Sequence, residues 1–574
     1  MRRLLSYMKK YRTATVLAVF CIVLETFLEL IIPLIMADMV DVGIANADKA
    51  YIFEKGLLMA GCAVVSMVLG AGSARFAAVC GQGIGAEIRK DEYRKLQQFS
   101  FANTDHFRTS SLVTRLTGDV TNIQNSISGG MRPACRAPVM MITAIAVSFY
   151  INKELAVVFL IAAPVLGVLL FLIISHVRPL YSKMQKAVDL VNRIIQENLT
   201  AIRVVKSYVR GDYELAKFEE VNTGLLTTSE RAFRVASLNM PAMQLVMYTT
   251  ILCILWFGGR LILVGGMQVG ELTGFLSYVL QVLNSLMMIS NVFMMFTRSL
   301  TSWKRITEVM DEKIDITEER SKDIFVEKGE IDFDHVYFKY SKDAQEYVLS
   351  DITLHMKAGQ IIGIIGRTGA AKSTLVQLIP RLYDVTEGEI RIDGHPVQEY
   401  PLRHLRDAIA MVLQKNTLFS GTVRDNLRWG QEDATEEEIE EACRTACVDE
   451  FIERLENGYD TDLGQGGVNV SGGQKQRLCI ARALLKKPRV LILDDSTSAV
   501  DTATEAKIRE GMERSLPGTT KIIIAQRITS VVHADEIIIL EDGRVHAVGT
   551  HEELLKNNEI YQEIYQSQQE GADL

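Results

Sequence analysis

Residues 361–374 read IIGIIGRTGAAKST, an aliphatic run of strand character that ends in a glycine-containing loop just before an apolar helical stretch, LVQLI. Strand, loop and helix in that order form the setting in which backbone N–H groups and a helix N-terminus surround phosphate. Gly366, Arg367, Thr368, Gly369, Ala370, Ala371, Lys372, Ser373 and Thr374 are therefore candidate phosphate-binding residues. Lys372 reaches the terminal phosphates and Ser373 is a magnesium ligand. The pattern G-x-x-x-x-G-K-[ST] calls for glycine at position 371, where a β-carbon crowds the backbone against the phosphates.

Farther along, VLILDD at 490–495 is an aliphatic strand ending in two carboxylates. Asp494 at the strand end is suited to hold magnesium through water, and Asp495 follows where a general base would sit. Between the two elements, VSGGQKQR at 470–477 exposes glycine backbone donors at the start of a helix running into CIARALL. From about residue 325 onward, short β-branched runs alternate with amphipathic helical stretches, the pattern of a soluble α/β domain.

The first 300 residues differ. Hydrophobic residues make up 48% of the 574-residue chain, and nearly all the long apolar runs lie here, near 14–40, 56–80, 133–151, 155–177, 237–264 and 272–297. A hydrocarbon core of about 30 Å takes roughly 20 apolar residues in helical form, so these runs predict six membrane spans. Arg2, Arg3, Lys9, Lys10 and Arg12 precede the first, and the long connections after the second and fourth carry Arg89, Lys90, Arg94, Lys95, Lys183, Lys186, Arg203 and Lys206. That asymmetry predicts both termini on the cytoplasmic side. The first apolar run is long and lacks a small-residue cleavage site, so an uncleaved span is expected, with no organelle-targeting segment and hence a bacterial cell membrane. MRRLLSYMKKYR suits a basic amphipathic helix on the inner leaflet. The domain boundaries expected are 1–12 for this surface segment, 13–302 for the membrane domain, 303–328 for a linker, 329–562 for the nucleotide-binding domain and 563–574 for a polar tail.

A net charge of -8 spread over so large a chain points to no particular partner, nucleic acid included. The eight cysteines lack paired spacing. Cys443 and Cys447 sit one helical turn apart, but no further ligand completes a tetrahedral set, so they read as small buried residues rather than a metal site.

Taken together, GRTGAAKST, VLILDD and VSGGQKQR resemble the ABC ATPase family, and the resemblance extends over the whole chain, whose six spans and long cytoplasmic connections are similar to exporter-type half-transporters. The resemblance implies ATP and Mg2+ as cofactors and makes Ser471, Gly472, Gly473 and Gln474 the signature motif. Gln414 becomes the Q-loop residue, also a magnesium ligand; Asp501 belongs to the D-loop, and Tyr340 stacks on adenine. Segments around 101–110 and 208–219 look like the loops whose short coupling helices rest on the ATPase domains. The membrane spans exclude a soluble ATPase of the DNA-repair kind that shares these motifs.

Four positions depart from that family. Its Walker B motif ends Asp-Glu where this chain has Asp494-Asp495, its switch histidine is here Gln526, and a glycine and a glutamate are replaced by Ala371 and Gln465. An amide cannot take up a proton as imidazole does, and the shorter carboxylate is drawn back by about 1.5 Å. The two catalytic positions, Asp495 and Gln526, thus predict slow hydrolysis at this chain's own Walker motifs, while its intact signature serves the other site. Since the family joins two ATPase domains head to tail, the expected partner is a second ABC half-transporter with an intact Walker B glutamate and switch histidine. The alternatives are a slow homodimer and an ATP-gated membrane protein that does not pump.

The cargo signal is thinner. Glu25 and Glu29 lie one turn apart in the first span, where carboxylates are costly unless paired, protonated or hydrated; a cation or proton site in the cavity competes with helix packing. Arg132 and Arg136 share a face of the third span and suit either lipid headgroups or anionic cargo. Met287, Met288, Met294 and Met295 in the sixth span give a deformable wall or ordinary packing. The substrate candidates are Glu25, Arg132, Arg136, Met287 and Met294, for small hydrophobic or amphipathic cargo, drugs or lipids, exported from the bilayer or the cytoplasm.

Overall fold

The computed structural model describes residues 2–341 and 343–570, apart from the side chains at positions 2, 290, 294 and 570. It falls into two compact units, Met1–Gln97 with Thr109–Glu312, and Gln98–Arg108 with Lys313–Leu574.

The first unit is helical. Arg12–Ile44, Lys49–Gln97, Thr109–Ile151, Lys153–Thr200, Gly211–Leu263 and Val269–Asp311 are each long and apolar enough to cross a membrane. Within hydrocarbon a backbone satisfies its polar groups only internally, so apolar runs of this length settle as helices. Polar sequence then continues the same helices: the second, 49 residues long, spans roughly 70 Å against a hydrocarbon core of about 30 Å. Pro33, Pro138 and Pro164 lie inside these helices without ending them. The interior is built around Phe159, Phe275 and Tyr278, the last donating its hydroxyl to the Leu30 carbonyl at 2.6 Å.

Three helix ends differ from the sequence expectation. The sixth helix runs on to Asp311 with Trp303, Ile306, Val309 and Met310 buried, so helix occupies the first part of the expected linker. In the connection after the fourth span the short helix is Ile202–Ser207, upstream of the stretch 208–219 expected to hold it, and Gly211–Ala236 already belongs to the next long helix. The N-terminal helix Arg2–Lys10 forms, but Leu4, Tyr7 and Met8 pack onto the bundle, and Tyr7 donates to Asp91 at 2.7 Å; protein, not lipid alone, covers its apolar face.

The described residues of the second unit form ten strands: β1 (Ile331–Phe338), β2 (Leu349–Met356), β3 (Ile361–Ile365), β4 (Glu387–Ile392), β5 (His395–Pro396), β6 (Ile409–Val412), β7 (Val490–Asp494), β8 (Thr520–Ile524), β9 (Glu536–Glu541) and β10 (Arg544–Gly549). An antiparallel sheet has the order β2-β1-β4-β5; a larger one, β10-β9-β3-β8-β7-β6, is parallel from β9 to β6. Its strands are covered on both faces. Leu491 and Leu493 of β7 point into one core and Val490 and Ile492 into the other, which is why VLILD is apolar without alternation. Cys443 and Cys447 lie in the first of these cores, where burial pushes the Cys443 thiol up to about 12.

Residues 563–570 continue a helix, Glu559–Glu570, in place of the expected polar tail; residues 571–574 lie outside the described residues. Tyr561 of this helix is fully buried and accepts or donates a 2.7 Å bond with His551. At the other edge, the short helix Phe101–His106 is capped by a reciprocal Ser100–Asn103 box and sits on Tyr383. Tyr383 donates to Asp105 at 2.7 Å, and its ring meets that of Tyr340 edge-on at 5.2 Å. Tyr383→Phe keeps the ring packing and removes one hydrogen bond to a carboxylate, so we expect a loss of about 1 kcal/mol in thermal unfolding with nucleotide affinity unchanged.

Candidate nucleotide site and a charge cluster between spans

The order β3-β8-β7-β6 brings four carboxyl ends side by side, the edge at which parallel sheets bind ligands. After β3 comes the loop 366–371, after β8 Gln526, at the end of β7 Asp494 and Asp495, and after β6 Gln414. Sequence-distant candidates thereby meet. Lys372 Nζ donates to the carbonyls of Gly366 at 2.8 Å and Arg367 at 3.0 Å, wrapping the loop around its own cation. Burial lowers the Lys372 ammonium from its ordinary value, with Asp495 and Asp494 opposing the shift.

Ser373 Oγ donates to Asp494 Oδ1 at 2.9 Å. Burial raises the Asp494 carboxyl and the Ser373 bond pulls it back. A hydroxyl and a buried carboxylate converging beside a helix N-terminus are the hard oxygen donors that magnesium takes, so these residues fit the ion. Gly369, at φ 90°, has open space where a side chain would stand, as a loop that follows phosphates closely requires. Ala370 N closes a turn onto Arg367 O at 3.1 Å, Thr368 is exposed, and Thr374 shares a 2.9 Å hydroxyl bond with Tyr340. Tyr340 is itself 48% exposed, leaving ring face free beside the loop.

Ala371 adopts φ 65°, ψ 25° as the residue before the helix Lys372–Leu378. The chain therefore keeps the left-handed conformation that glycine serves elsewhere and carries a β-carbon there at a cost of about 1 kcal/mol.

Asp495 stands at φ 48° with its amide donating to Ile524 O at 3.0 Å. Gln526 Nε2 donates to Asp495 Oδ2 at 2.7 Å. Burial raises the Asp495 carboxyl; the Gln526 bond is among the influences that oppose it. Gln526 is in turn held from outside the sheet: Gln568 of the last helix donates to Gln526 O at 2.7 Å and accepts from Ile528 N at 2.8 Å. Arg367 pairs with Glu563 of the same helix at 2.8 Å, so one helix touches both the loop after β3 and the loop after β8.

The signature residues begin the helix Gly472–Leu485, with Ser471 and Gln474 bonded to each other in a capping box. Gly473 packs so closely that a β-carbon would come within 2.7 Å of Ala499 O. One turn on, buried Gln476 accepts from Ala499 N at 3.0 Å and donates to Ser498 Oγ at 3.2 Å, and Ser498 donates to Asp495 O at 3.0 Å. Asp501 caps the helix Thr502–Ser515 through Thr504 N, which holds its carboxyl below the usual range. Gln476, Gln568, Glu563 and Tyr383 were not among the residues expected from sequence. Gln476 lies within the VSGGQKQR motif; the others act through contacts that only the fold creates.

Between the spans, the charged candidates pair. Arg132 Nη2 donates to Glu25 and Arg136 Nη2 to Glu29, so each arginine carries an internal carboxylate partner. Glu25 is 3% exposed and backed by Gly70, where a β-carbon would lie 2.9 Å from its Oε1. Beside Glu29 and Arg136 a cavity of about 410 Å³ opens among the first, third and sixth spans. Met287 packs on the core around Tyr278 while Met288 lines the cavity; the Met294 side chain lies outside the described residues.

Fold and site define a membrane protein with a P-loop ATPase domain. Residues 15–286 match the family model described as ABC transporter transmembrane region, and residues 349–498 the one described as ABC transporter. The chain is 40% identical over 575 residues to the "Uncharacterized ABC transporter ATP-binding protein YfiB" of Bacillus subtilis, covering 100% of each. It is 32% identical over 483 residues to a Staphylococcus aureus protein named "Putative multidrug export ATP-binding/permease protein", covering 84% of this chain and 83% of that one. A solved structure of a bacterial Atm1-family ABC exporter with ATP bound superposes with a TM-score of 0.81 at 24% identity, over 97% of this chain and 99% of the other. The chain belongs to the ABC transporter family.

Ala371→Gly should relieve the left-handed strain; we expect about 0.5–1 kcal/mol of added stability in thermal unfolding of the nucleotide-free protein and tighter ATP binding by equilibrium titration.

Proposed function

We propose that this chain is one half of a heterodimeric ATP-driven exporter in a bacterial cell membrane, with both termini in the cytoplasm. Its partner is a second ABC half-transporter that carries an intact Walker B glutamate and switch histidine. The bond from Gln526 to Asp495 carries the reading. A carboxylate that is to accept a proton from attacking water is here held by the amide of Gln526, which cannot take up a proton as an imidazole does.

On this reading Lys372, the loop 366–371 and the N-terminus of Lys372–Leu378 hold the phosphates of ATP, and Tyr340 meets the adenine. Ser373 and Asp494, with Gln414, hold magnesium, which when bound neutralises phosphate charge. Asp495 orients water poorly, so ATP persists at this site. Ser471, Gly472, Gly473 and Gln474 complete the partner's site, with Gly472 and Gly473 offering unsatisfied N–H groups at a helix N-terminus. Gln476 and Ser498 bond the signature helix to the backbone of Asp495, giving a direct route by which one site senses the other.

A second chain is also supported by the short helix Ile202–Ser207. Val204, Tyr208 and Tyr213 around it are 56%, 75% and 63% exposed, unlike the Phe101–His106 helix, which lies on Tyr383. Nucleotide-driven closure of the ATPase domains reaches the spans through these two segments, opening the bundle outward to release hydrophobic or amphipathic cargo, drugs or lipids. The name of the Staphylococcus aureus relative agrees with that cargo class.

Restoring the missing chemistry tests the proposal. Asp495→Glu together with Gln526→His should raise phosphate release at this chain's own site by about 10² to 10⁴, while each change alone recovers less. A wild-type chain that already turns over ATP at ordinary transporter rates when expressed alone, with no gain in the double variant, would overturn it.

A further inference from the structure

Two carboxylates and two guanidinium groups stand between the first and third spans, and their charges cancel: Glu25 with Arg132 and Glu29 with Arg136, with Arg136 Nη1 also 3.9 Å from Glu25 Oε1. The two pairs are not equivalent. The Glu25 carboxylate is sealed against Gly70, whereas the Glu29 and Arg136 side chains, 25% and 23% exposed, both reach the cavity of about 410 Å³. That volume is in the range of small-molecule sites. Its polar remainder comes from the sixth span, where Gln281, Asn284 and Ser285 line it, and Met140 and Met288 supply apolar wall. Gln281 Oε1 is buried without a hydrogen-bond partner, an acceptor waiting for a donor.

We infer that this cavity takes amphipathic zwitterions, molecules with an ammonium and a carboxylate or phosphate on one compact head next to an apolar group. The inference rests on reading the membrane domain as the cargo path. Electroneutrality selects the class. An anion drawn to Arg136 would strip Glu29 of its partner in a low-dielectric setting, and a cation drawn to Glu29 would strip Arg136; an unpaired buried charge is strongly unfavourable. A zwitterion exchanges the one internal pair for two crossed pairs, ammonium on Glu29 and acid on Arg136, leaving the sum of charges at zero. Its remaining N–H meets Gln281 Oε1, and its apolar part lies on Met140 and Met288. A wholly apolar molecule would leave Gln281 and Asn284 without partners.

Four dipeptide derivatives of matched size test this by calorimetric titration of the full chain in maltoside detergent: leucyl-leucine, its N-acetyl form, its amide, and the form carrying both caps. We expect the zwitterion to bind at least about tenfold more tightly than the other three. Glu29→Gln should invert the order in favour of the N-acetyl anion, and Arg136→Gln in favour of the amide cation, with ATP affinity unchanged in both as the check on folding. The same inversions between short-chain phosphatidylethanolamine and phosphatidylglycerol, below their micelle concentrations and without dipeptide binding, would support the inference with a lipid source. Equal binding of all probes, no binding of any, or an order that neither variant inverts would overturn it. The export reading is judged separately, by ATP-driven dye uptake into inverted vesicles holding the chain and its partner: uptake without charge selection defeats the zwitterion inference alone, and no uptake defeats the parent reading.

Discussion

The parallel register of β3, β8, β7 and β6 is the constraint on which the rest of the ATPase domain depends. Ile364 pairs with Ile524 and Ile524 with Asp494, so the loop of Lys372, the amide of Gln526 and the two carboxylates leave the sheet at the same level. A slip of one residue would turn Leu491 and Leu493 into the wrong core and carry Asp494 away from Ser373. The Ser373–Asp494 and Gln526–Asp495 bonds follow from that register. The helix Glu559–Glu570 then braces the edge from outside, holding Gln526 through Gln568 and Arg367 through Glu563.

The asymmetry proposed for the two ATP sites would have a local cause. Signature and Walker motifs share one domain but begin different helices, so substitution can disable the second and spare the first. Ser471 and Gln474 cap the signature helix through each other, while Asp495 is tied to Gln526. Gln476 and Ser498 bond the signature helix to the backbone of Asp495, so the two regions are directly connected.

Much of this was legible in the sequence because the signals were local. Six apolar runs of span length, IIGIIGRTGAAKST and VLILDD each fix an element and its polarity without reference to any distant residue. What was hidden depends on contacts across the fold. Gln568 looks like one of several glutamines in a polar tail until β8 brings Gln526 beside it. Arg132 and Arg136 look like free cations until the third span lies against the first and each meets a glutamate one turn from the other's. The sixth helix outlasts its apolar run because Trp303 and Ile306 pack against the second span's polar extension, which hydropathy alone does not reveal.

The central claim is that this chain's own Walker site keeps its ATP while the partner's turns over. The most direct measurement loads the assembled transporter with radiolabelled, photoreactive ATP, allows several turnovers with excess unlabelled ATP, and then crosslinks and identifies the nucleotide on each chain. The account predicts intact labelled ATP on this chain and rapid loss of label from the partner; labelled ADP appearing on both chains at one rate would contradict it.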